Sequence, residues 1–204
     1  GRFVNLSSGG VYPDFDRVKN SSKETIKPRE VLHIGMDFNV LKMAAVVFVL
    51  RDGKAVAVDE LVNVRDTPAM AELIKDKYPD HTIKIYPDAA GQATSSKNSS
   101  ESDHIILRKA GFSLVVNGSN PAVKDRINAC NAQILNSNGV RSFAVNVDLC
   151  PNLTEALEQQ AYDKHGAPDK STGHDHVLDA FGYFLVKQFP IKRPIAKQVG
   201  LSMA

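Results

Sequence analysis

The sequence has only two cysteines, no long apolar run, and almost no excess of charge of either sign. Cys130 and Cys150 are isolated and form no Cys-x-x-Cys pair, so we expect reduced thiols and neither a disulfide framework nor a thiolate metal site. No apolar run approaches the ~20 residues of a membrane-spanning helix, so no membrane insertion is expected. The formal net charge of +2 over 204 residues argues against permanent binding to nucleic acid through charge alone.

Length and composition predict one globular domain. At 204 residues with 43% hydrophobic content, the chain suits a single core better than two. Residues 1–30 show no sustained period, which predicts an extended lead-in that packs on the domain. Residues 190–204 are basic and interrupted by proline, which predicts a flexible tail. The domain itself is therefore expected to span residues 31–189.

The order of the predicted elements indicates an α/β fold. Three strand-like runs at 31–40, 42–51 and 54–64 are separated by short breaks, and Asp52-Gly53 is a strong hairpin signal, so an antiparallel meander is expected. Helices and strands then alternate, and crossover helices favour parallel pairing, so the central sheet should be mixed and flanked by helices. The later elements are a helix at 66–78, a strand at 82–87, a mobile loop at 91–100, a helix from 100 to 111, a strand at 113–116, a helix at 122–135, a strand at 142–147, a helix from Pro151 and a final helix at 174–188.

Four acidic residues occupy positions at which a carboxylate is unusual. Asp37 lies in an apolar strand-like run, where burial is unfavourable unless a cation compensates the charge. Asp88 follows the strand at 82–87, which should lie beside the first strand, so the two carboxylates are expected to face each other. Asp175 and Asp179 are four residues apart and share one helix face. Taken singly, these residues also suit ordinary roles in turns and helix caps.

The chemistry of this acidic set favours hard metal ions. Carboxylate oxygens without cysteine or clustered imidazole suit Mg²⁺ or Mn²⁺ better than zinc. Two such ions held together can activate a water molecule and stabilise the leaving oxygen in phosphodiester cleavage. The acidic set therefore predicts metal-dependent cleavage of a phosphodiester.

Four short segments carry a more specific pattern. They are Gly35-Met-Asp-Phe38, Tyr86-Pro-Asp-Ala-Ala-Gly91, Lys124-Asp-Arg-Ile127 and His174-Asp-His-Val-Leu-Asp-Ala-Phe-Gly-Tyr183. Together they resemble the nuclease domain of the large terminase subunit of tailed bacteriophages, over residues 31–187, and the last segment is the most specific. The resemblance implies an RNase H-like fold, related to that of retroviral integrases, and metal-dependent cleavage of double-stranded viral DNA concatemers during headful packaging.

The same resemblance implies roles for individual residues. Asp37 and Asp88 would be metal ligands on two strands, and either Asp179 or Asp175 would supply the direct ligand from the helix, with all four taking part in catalysis on two Mg²⁺ or Mn²⁺ ions. His176 matches a histidine of the family motif. A role beside the ligands or toward DNA and a simple capping or surface role both stay open for it.

Basic residues near the predicted site are candidates for contacts with DNA phosphates, although most such charges are simply solvated. The candidates are Lys97, Arg108, Lys109, Lys124 and Arg126, of which Lys97, Lys124 and Arg126 are favoured together with His176. The resemblance implies double-stranded DNA, the portal, the small terminase subunit and the packaging ATPase domain of the same full-length protein as partners. It also implies a monomeric isolated domain that works in the cytoplasm of the infected bacterium, at the procapsid portal.

The chain has no Gly-x-x-x-x-Gly-Lys-Ser/Thr phosphate loop, so ATP hydrolysis is not expected of it. Residues 1–30 would then connect to an ATPase motor domain that this sequence lacks. Two alternatives stay open. A Holliday-junction resolvase of similar fold would use the same carboxylates, but the near-neutral charge disfavours it. A docking module without catalysis would keep the fold alone.

Overall fold

The computed structural model describes residues 9–39, 41–92, 102–116 and 118–191. In this part of the chain, six strands form one mixed sheet and five α-helices cover its two faces. The predicted DNA contact Lys97, most of the predicted loop at 91–100 and residues 192–204 of the predicted tail lie outside it. The elements are β1 Val31–Asp37, β2 Met43–Arg51, β3 Lys54–Val64, α1 Thr67–Lys77, β4 Thr82–Pro87, a 3₁₀ helix Ala89–Gln92, α2 Asp103–Lys109, β5 Ser113–Leu114, α3 Val123–Ile134, β6 Phe143–Val145, α4 Pro151–Gln159 and α5 Asp175–Gln188.

The sheet confirms the predicted mixed topology. Its strand order is β5-β4-β1-β2-β3-β6, so β1 is central and β4 lies beside it. Strands β1, β2 and β3 pair antiparallel, whereas β4 runs parallel to β1, β5 parallel to β4, and β6 parallel to β3. The hairpin between β2 and β3 turns at Asp52 and Gly53, which both have positive φ, as a tight two-residue hairpin turn requires.

Helices cover both faces because alternate residues of the central strands point to opposite sides. In β2, Val46 and Phe48 belong to the apolar cluster that includes α3, α4 and α5, whereas Ala45 and Val47 belong to the cluster that includes α1 and α2. Phe184 of α5 stacks on Phe48 with ring centroids 4.3 Å apart. This stacking holds α5 across the sheet.

Local signals place most element boundaries within one or two residues. The Asp66 side chain accepts a hydrogen bond from the Ala69 amide at 2.9 Å, which confirms the predicted start of α1. The strands β5 and β6 are shorter than the predicted runs at 113–116 and 142–147. Both lie at the edges of the sheet, where a strand has a single neighbour to pair with.

Residues 9–30 pack along the domain through turns and isolated bridges. Gly10 bridges Ala161, and Val11 and Tyr12 are part of the core. Arg51 in β2 forms 2.6 Å ion pairs with both Glu24 and Glu30. The boundary at residue 30 stays a prediction.

Two further expectations concern the cysteines and membrane insertion. Cys130 and Cys150 are both buried and unpaired with each other, as the sequence predicts. The buried thiols therefore belong to the core and form no crosslink.

Within the described ranges, no helix combines the length and apolar character needed to span a membrane.

Candidate active site

Two of the predicted acidic residues lie side by side at the carboxyl ends of adjacent strands. Asp37 is the last residue of β1, and Asp88 directly follows β4. The strands are parallel and in register, with Met36 opposite Pro87. The Asp88 amide donates a 3.0 Å hydrogen bond to the Met36 carbonyl. The structure therefore brings these two residues together, as the sequence predicts.

Gly35 allows α5 to reach these strand ends. A Cβ atom at Gly35 would overlap the backbone carbonyl of Ala180 and would lie 3.3 Å from Cβ of Phe184. Backbone atoms cannot move aside as a flexible side chain can, so this position admits only glycine at the observed separation. Asp179 precedes Ala180, and the close approach of β1 and α5 therefore brings Asp179 to the edge where Asp37 lies.

Asp37 is a desolvated carboxylate. It is only 7% exposed, although it is the last residue of β1. Burial, the negative charge of Asp179 and, more weakly, that of Asp88 raise its pKa to about 6, against the opposing effect of His176. In this environment the ionised carboxylate is unfavourable, and a nearby cation would stabilise it.

His176 contacts Asp37 directly. Its Nδ1 lies 3.1 Å from Oδ2 of Asp37, and Nδ2 of Asn39 lies 3.1 Å from its Nε2. With the proton on Nδ1, the ring donates to Asp37 and accepts from Asn39. Of the roles left open for His176, the structure therefore places it beside an expected ligand, and a contact with DNA stays a prediction.

Asp88 is held by three groups, two of which sequence reasoning missed. Its Oδ1 accepts hydrogen bonds from Nδ2 of Asn120 at 2.5 Å and from the Ala90 amide at 2.7 Å. Its carbonyl lies 2.9 Å from Nε2 of His104, which is almost fully buried. Asp88 thus also fills the ordinary turn role. Asn120 and His104 are remote in sequence and carry no motif that links them to this residue.

Asp179 is paired with Arg126. The guanidinium Nη2 lies 2.5 Å from Oδ1 of Asp179, and Arg126 also lies over the ring of Tyr183, with Cζ 4.7 Å from the centroid. Burial raises the pKa of Asp179, while Arg126 and Lys170 act in the opposite direction. The predicted phosphate contact for Arg126 requires an exposed guanidinium. The structure instead places this group inside the site, at 6% exposure, because Asp179 and Tyr183 hold it there.

Asp175 and Asp179 share one face of α5, as predicted, and line the same cavity of about 560 Å³. His174 is the N-cap of α5, so Asp175 is the first helical residue and not the cap. Lys124 and Lys170 line the cavity as well, which places the predicted DNA contact Lys124 next to the acidic residues.

The residues suit a divalent metal by their chemistry. Across the described ranges, no three His, Cys, Asp or Glu side chains lie close enough together to hold an ion as they stand. Protein donors instead engage the carboxylates of Asp37, Asp88 and Asp179. Their ligand atoms are all oxygens, and the burial of Asp37 beside the negative charges of Asp179 and Asp88, which raises its pKa, favours added positive charge.

Solved structures share this fold. The nuclease domain of the P22 large terminase superposes with a TM-score of 0.67 at 18% identity, covering 89% of this chain and 94% of that one. A large terminase from a thermophilic bacteriophage, in complex with ATP-γ-S, gives 0.68 at 16% identity and covers 89% of this chain, which spans only 46% of its length. The nuclease of the thermophilic phage G20c with bound magnesium gives 0.59 at 12%, covering 89% and 98%. These similarities confirm the predicted RNase H-like fold.

A comparison with family models identifies the chain itself. The model described as the terminase RNaseH-like domain matches residues 34–188, which include the three strand-end and helix carboxylates. A comparison with curated proteins found no match. The matched range covers well over half of the sequence and agrees with the predicted resemblance over 31–187. The chain belongs to the terminase RNaseH-like domain family.

Proposed function

We propose that this chain is a divalent-metal-dependent endonuclease domain that cleaves double-stranded DNA during viral genome packaging. The observation that carries the proposal is that Asp37, Asp88 and Asp179 converge at the carboxyl ends of β1 and β4. These three residues are hereafter the three-carboxylate site. The bound magnesium and cobalt in structures of the G20c nuclease support divalent metal use. Cleavage of concatemers by two ions is part of the proposal.

Electrostatics support Asp179 as the helix ligand in preference to Asp175. Asp179 and Asp88 are among the charges that act most strongly on Asp37, whereas Asp175 is not. Burial raises the pKa of Tyr183, and all members of the three-carboxylate site raise it further. These three carboxylates at the strand ends are therefore the ones that we propose to hold metal, and Asp175 lies one helical turn from Asp179. When bound there, two ions supply an activated water and stabilise the leaving oxygen.

The surrounding residues fix the orientation of the ligands. His176 holds Oδ2 of Asp37, and Asn120 holds Oδ1 of Asp88, so neither carboxylate rotates freely. Hydrogen bonds of this kind typically determine how well a ligand set binds its metal. Holding ligands in advance reduces the reorganisation that the reaction requires.

The cavity beside Asp179 suits the DNA strand that enters the site. Lys124 and Lys170 line this cavity, and their ammonium groups are the proposed contacts for phosphates next to the scissile bond. By family membership we also propose that the chain acts with the packaging ATPase domain, the small terminase subunit and the portal, in the infected bacterium.

The experiment is a plasmid cleavage assay with Mn²⁺ or Mg²⁺. We expect wild-type protein to cleave supercoiled DNA with little sequence preference, and EDTA to stop it. Asp179→Asn should reduce the cleavage rate by more than about 100-fold, which is the largest effect typical of losing a hydrogen bond to a metal ligand. Asp175→Asn should reduce the cleavage rate by less than about 10-fold.

Asp148→Asn is the matched control. Asp148 is an exposed carboxylate that pairs with Lys23 and follows β6, which β2 and β3 separate from β1, so its loss should leave cleavage unchanged. Equal cleavage by wild type and Asp179→Asn would contradict the proposed nuclease. A larger loss in Asp175→Asn than in Asp179→Asn would reverse the assignment of the helix ligand.

A further inference from the structure

A glycine lies inside α5, at a position where helices normally avoid it. Gly182 lies in the middle of this 14-residue helix, one turn after Asp179. Glycine in a helix interior is less favourable than alanine by about 1 kcal/mol, so its presence calls for a local reason. The structure supplies one, because a Cβ atom at Gly182 would lie 2.6 Å from both Cγ and Cδ of Arg126.

Arg126 fills the space that Gly182 leaves open. Its side chain extends from α3 across α5, and its guanidinium contacts Asp179 on one side and the ring of Tyr183 on another. With a side-chain exposure of 7%, it is enclosed by protein. A planar guanidinium fixed by an aromatic ring and a carboxylate has little freedom to rotate, unlike a lysine ammonium.

The ion pair uses only one oxygen of the ligand. Arg126 binds Oδ1 of Asp179, so Oδ2 would be the oxygen that holds a metal ion. A carboxylate whose second oxygen is held by a charged donor keeps its orientation when no ion is present. This arrangement resembles the way His176 holds Asp37 and Asn120 holds Asp88, but here the donor is buried and charged.

We propose that Arg126 is the positioning residue for Asp179, and that Gly182 is needed to admit it. The inference rests on the proposed function, because it assumes that Asp179 binds a metal ion. Two simpler roles predict different results. If Arg126 only competes with the ion for Asp179, its removal strengthens metal binding, and if only its charge matters, lysine replaces it fully.

The test measures Mn²⁺ binding by calorimetry, with thermal unfolding in EDTA and plasmid cleavage measured on the same samples. We expect Arg126→Ala and Arg126→Lys each to weaken Mn²⁺ binding by about 10- to 100-fold. Gly182→Ala should weaken it similarly while keeping the arginine, because the new methyl group displaces the Arg126 side chain. In the Arg126→Ala background, the Gly182→Ala change should cause no further loss and should raise the melting temperature, since only helix propensity then remains.

Arg17→Ala is the matched control, because it removes an exposed arginine–carboxylate pair with Glu158. It should leave Mn²⁺ binding unchanged. Tighter or unchanged Mn²⁺ binding by folded Arg126→Ala, or by folded Gly182→Ala if the first variant does not fold, would overturn the inference while the nuclease proposal stands. Wild-type protein that neither binds Mn²⁺ nor cleaves DNA would instead refute the proposed function, and this inference with it.

Discussion

Asp37→Asn is expected to abolish DNA cleavage and at the same time to make the metal-free protein more stable. Loss of a metal ligand removes several kcal/mol of transition-state stabilisation, so the rate should fall on the order of 1,000-fold or more. The same change removes a buried negative charge that Asp179 and Asp88 repel. The asparagine keeps an oxygen that accepts the hydrogen bond from His176, so the local packing should survive.

The gain in stability should depend on pH in a defined direction. The folded-state pKa of Asp37 is about 6 and its ordinary value is 3.8, so the folded protein holds this proton more tightly than the unfolded chain does. The resulting penalty is absent below the ordinary value, grows as the pH rises, and is complete above the folded value. In EDTA at about pH 8, Asp37→Asn should therefore unfold with a free energy about 1–3 kcal/mol higher than wild type, and the gain should shrink toward about pH 4.

Urea unfolding at several pH values measures this difference, with Asp148→Asn as the control that should show no such trend. Added Mn²⁺ should raise the melting temperature of wild type, because an ion that binds the folded state stabilises it. It should have little effect on Asp37→Asn, which lacks one of the proposed ligands. A lower melting temperature for Asp37→Asn in EDTA would contradict the electrostatic account of the site.

Gly35→Ala is expected to destabilise the domain and to weaken metal binding. It would force β1 and α5 apart, because its Cβ meets the Ala180 backbone and not a movable side chain. Overpacking of this kind destabilises by about 1–3 kcal/mol, and sometimes more. In a chain of this size the melting temperature should fall by about 2–12 °C. Asp179 should move away from Asp37, so Mn²⁺ binding should weaken as well.

Gly10→Ala provides the control, since an added Cβ there has only an ordinary 4.0 Å contact with Pro13. Calorimetric melting curves and Mn²⁺ titrations of the two variants measure both effects. Equal melting temperatures for Gly35→Ala and wild type would show that the close approach of β1 and α5 is not what holds Asp179 in place.

The sequence predicts the sheet well because its signals are local. The apolar run at 31–40 that contains Asp37 and the Asp52-Gly53 turn indicate β1 to β3 without knowledge of distant residues, although β1 ends at Asp37. The crossover rule then places β4 beside β1, and Asp88 beside Asp37. The i and i+4 spacing of Asp175 and Asp179 likewise predicts the shared helix face that the cavity shows.

The partners of the carboxylates could not be predicted in the same way. Asn120 reaches Asp88 from 32 residues away, and Arg126 reaches Asp179 from 53 residues away. These contacts depend on how the segment before α3 packs on the end of β4 and how α3 packs against α5, and no local pattern encodes that packing. The charge and length of Arg126 are those of a surface residue that contacts phosphate. Its burial is visible only in the structure, where its side chain fills the space beside Gly182.

Asp37, Asp88 and Asp179 are proposed to hold divalent metal together. Anomalous diffraction from a crystal soaked in Mn²⁺ tests this proposal most directly, with a crystal of Asp37→Asn as the comparison. We expect anomalous density between the ends of β1 and β4 and the first turns of α5, within direct contact of the three carboxylates, and its absence in Asp37→Asn. Manganese bound elsewhere, or none at this edge of the sheet in a protein that still cleaves DNA, would contradict the account.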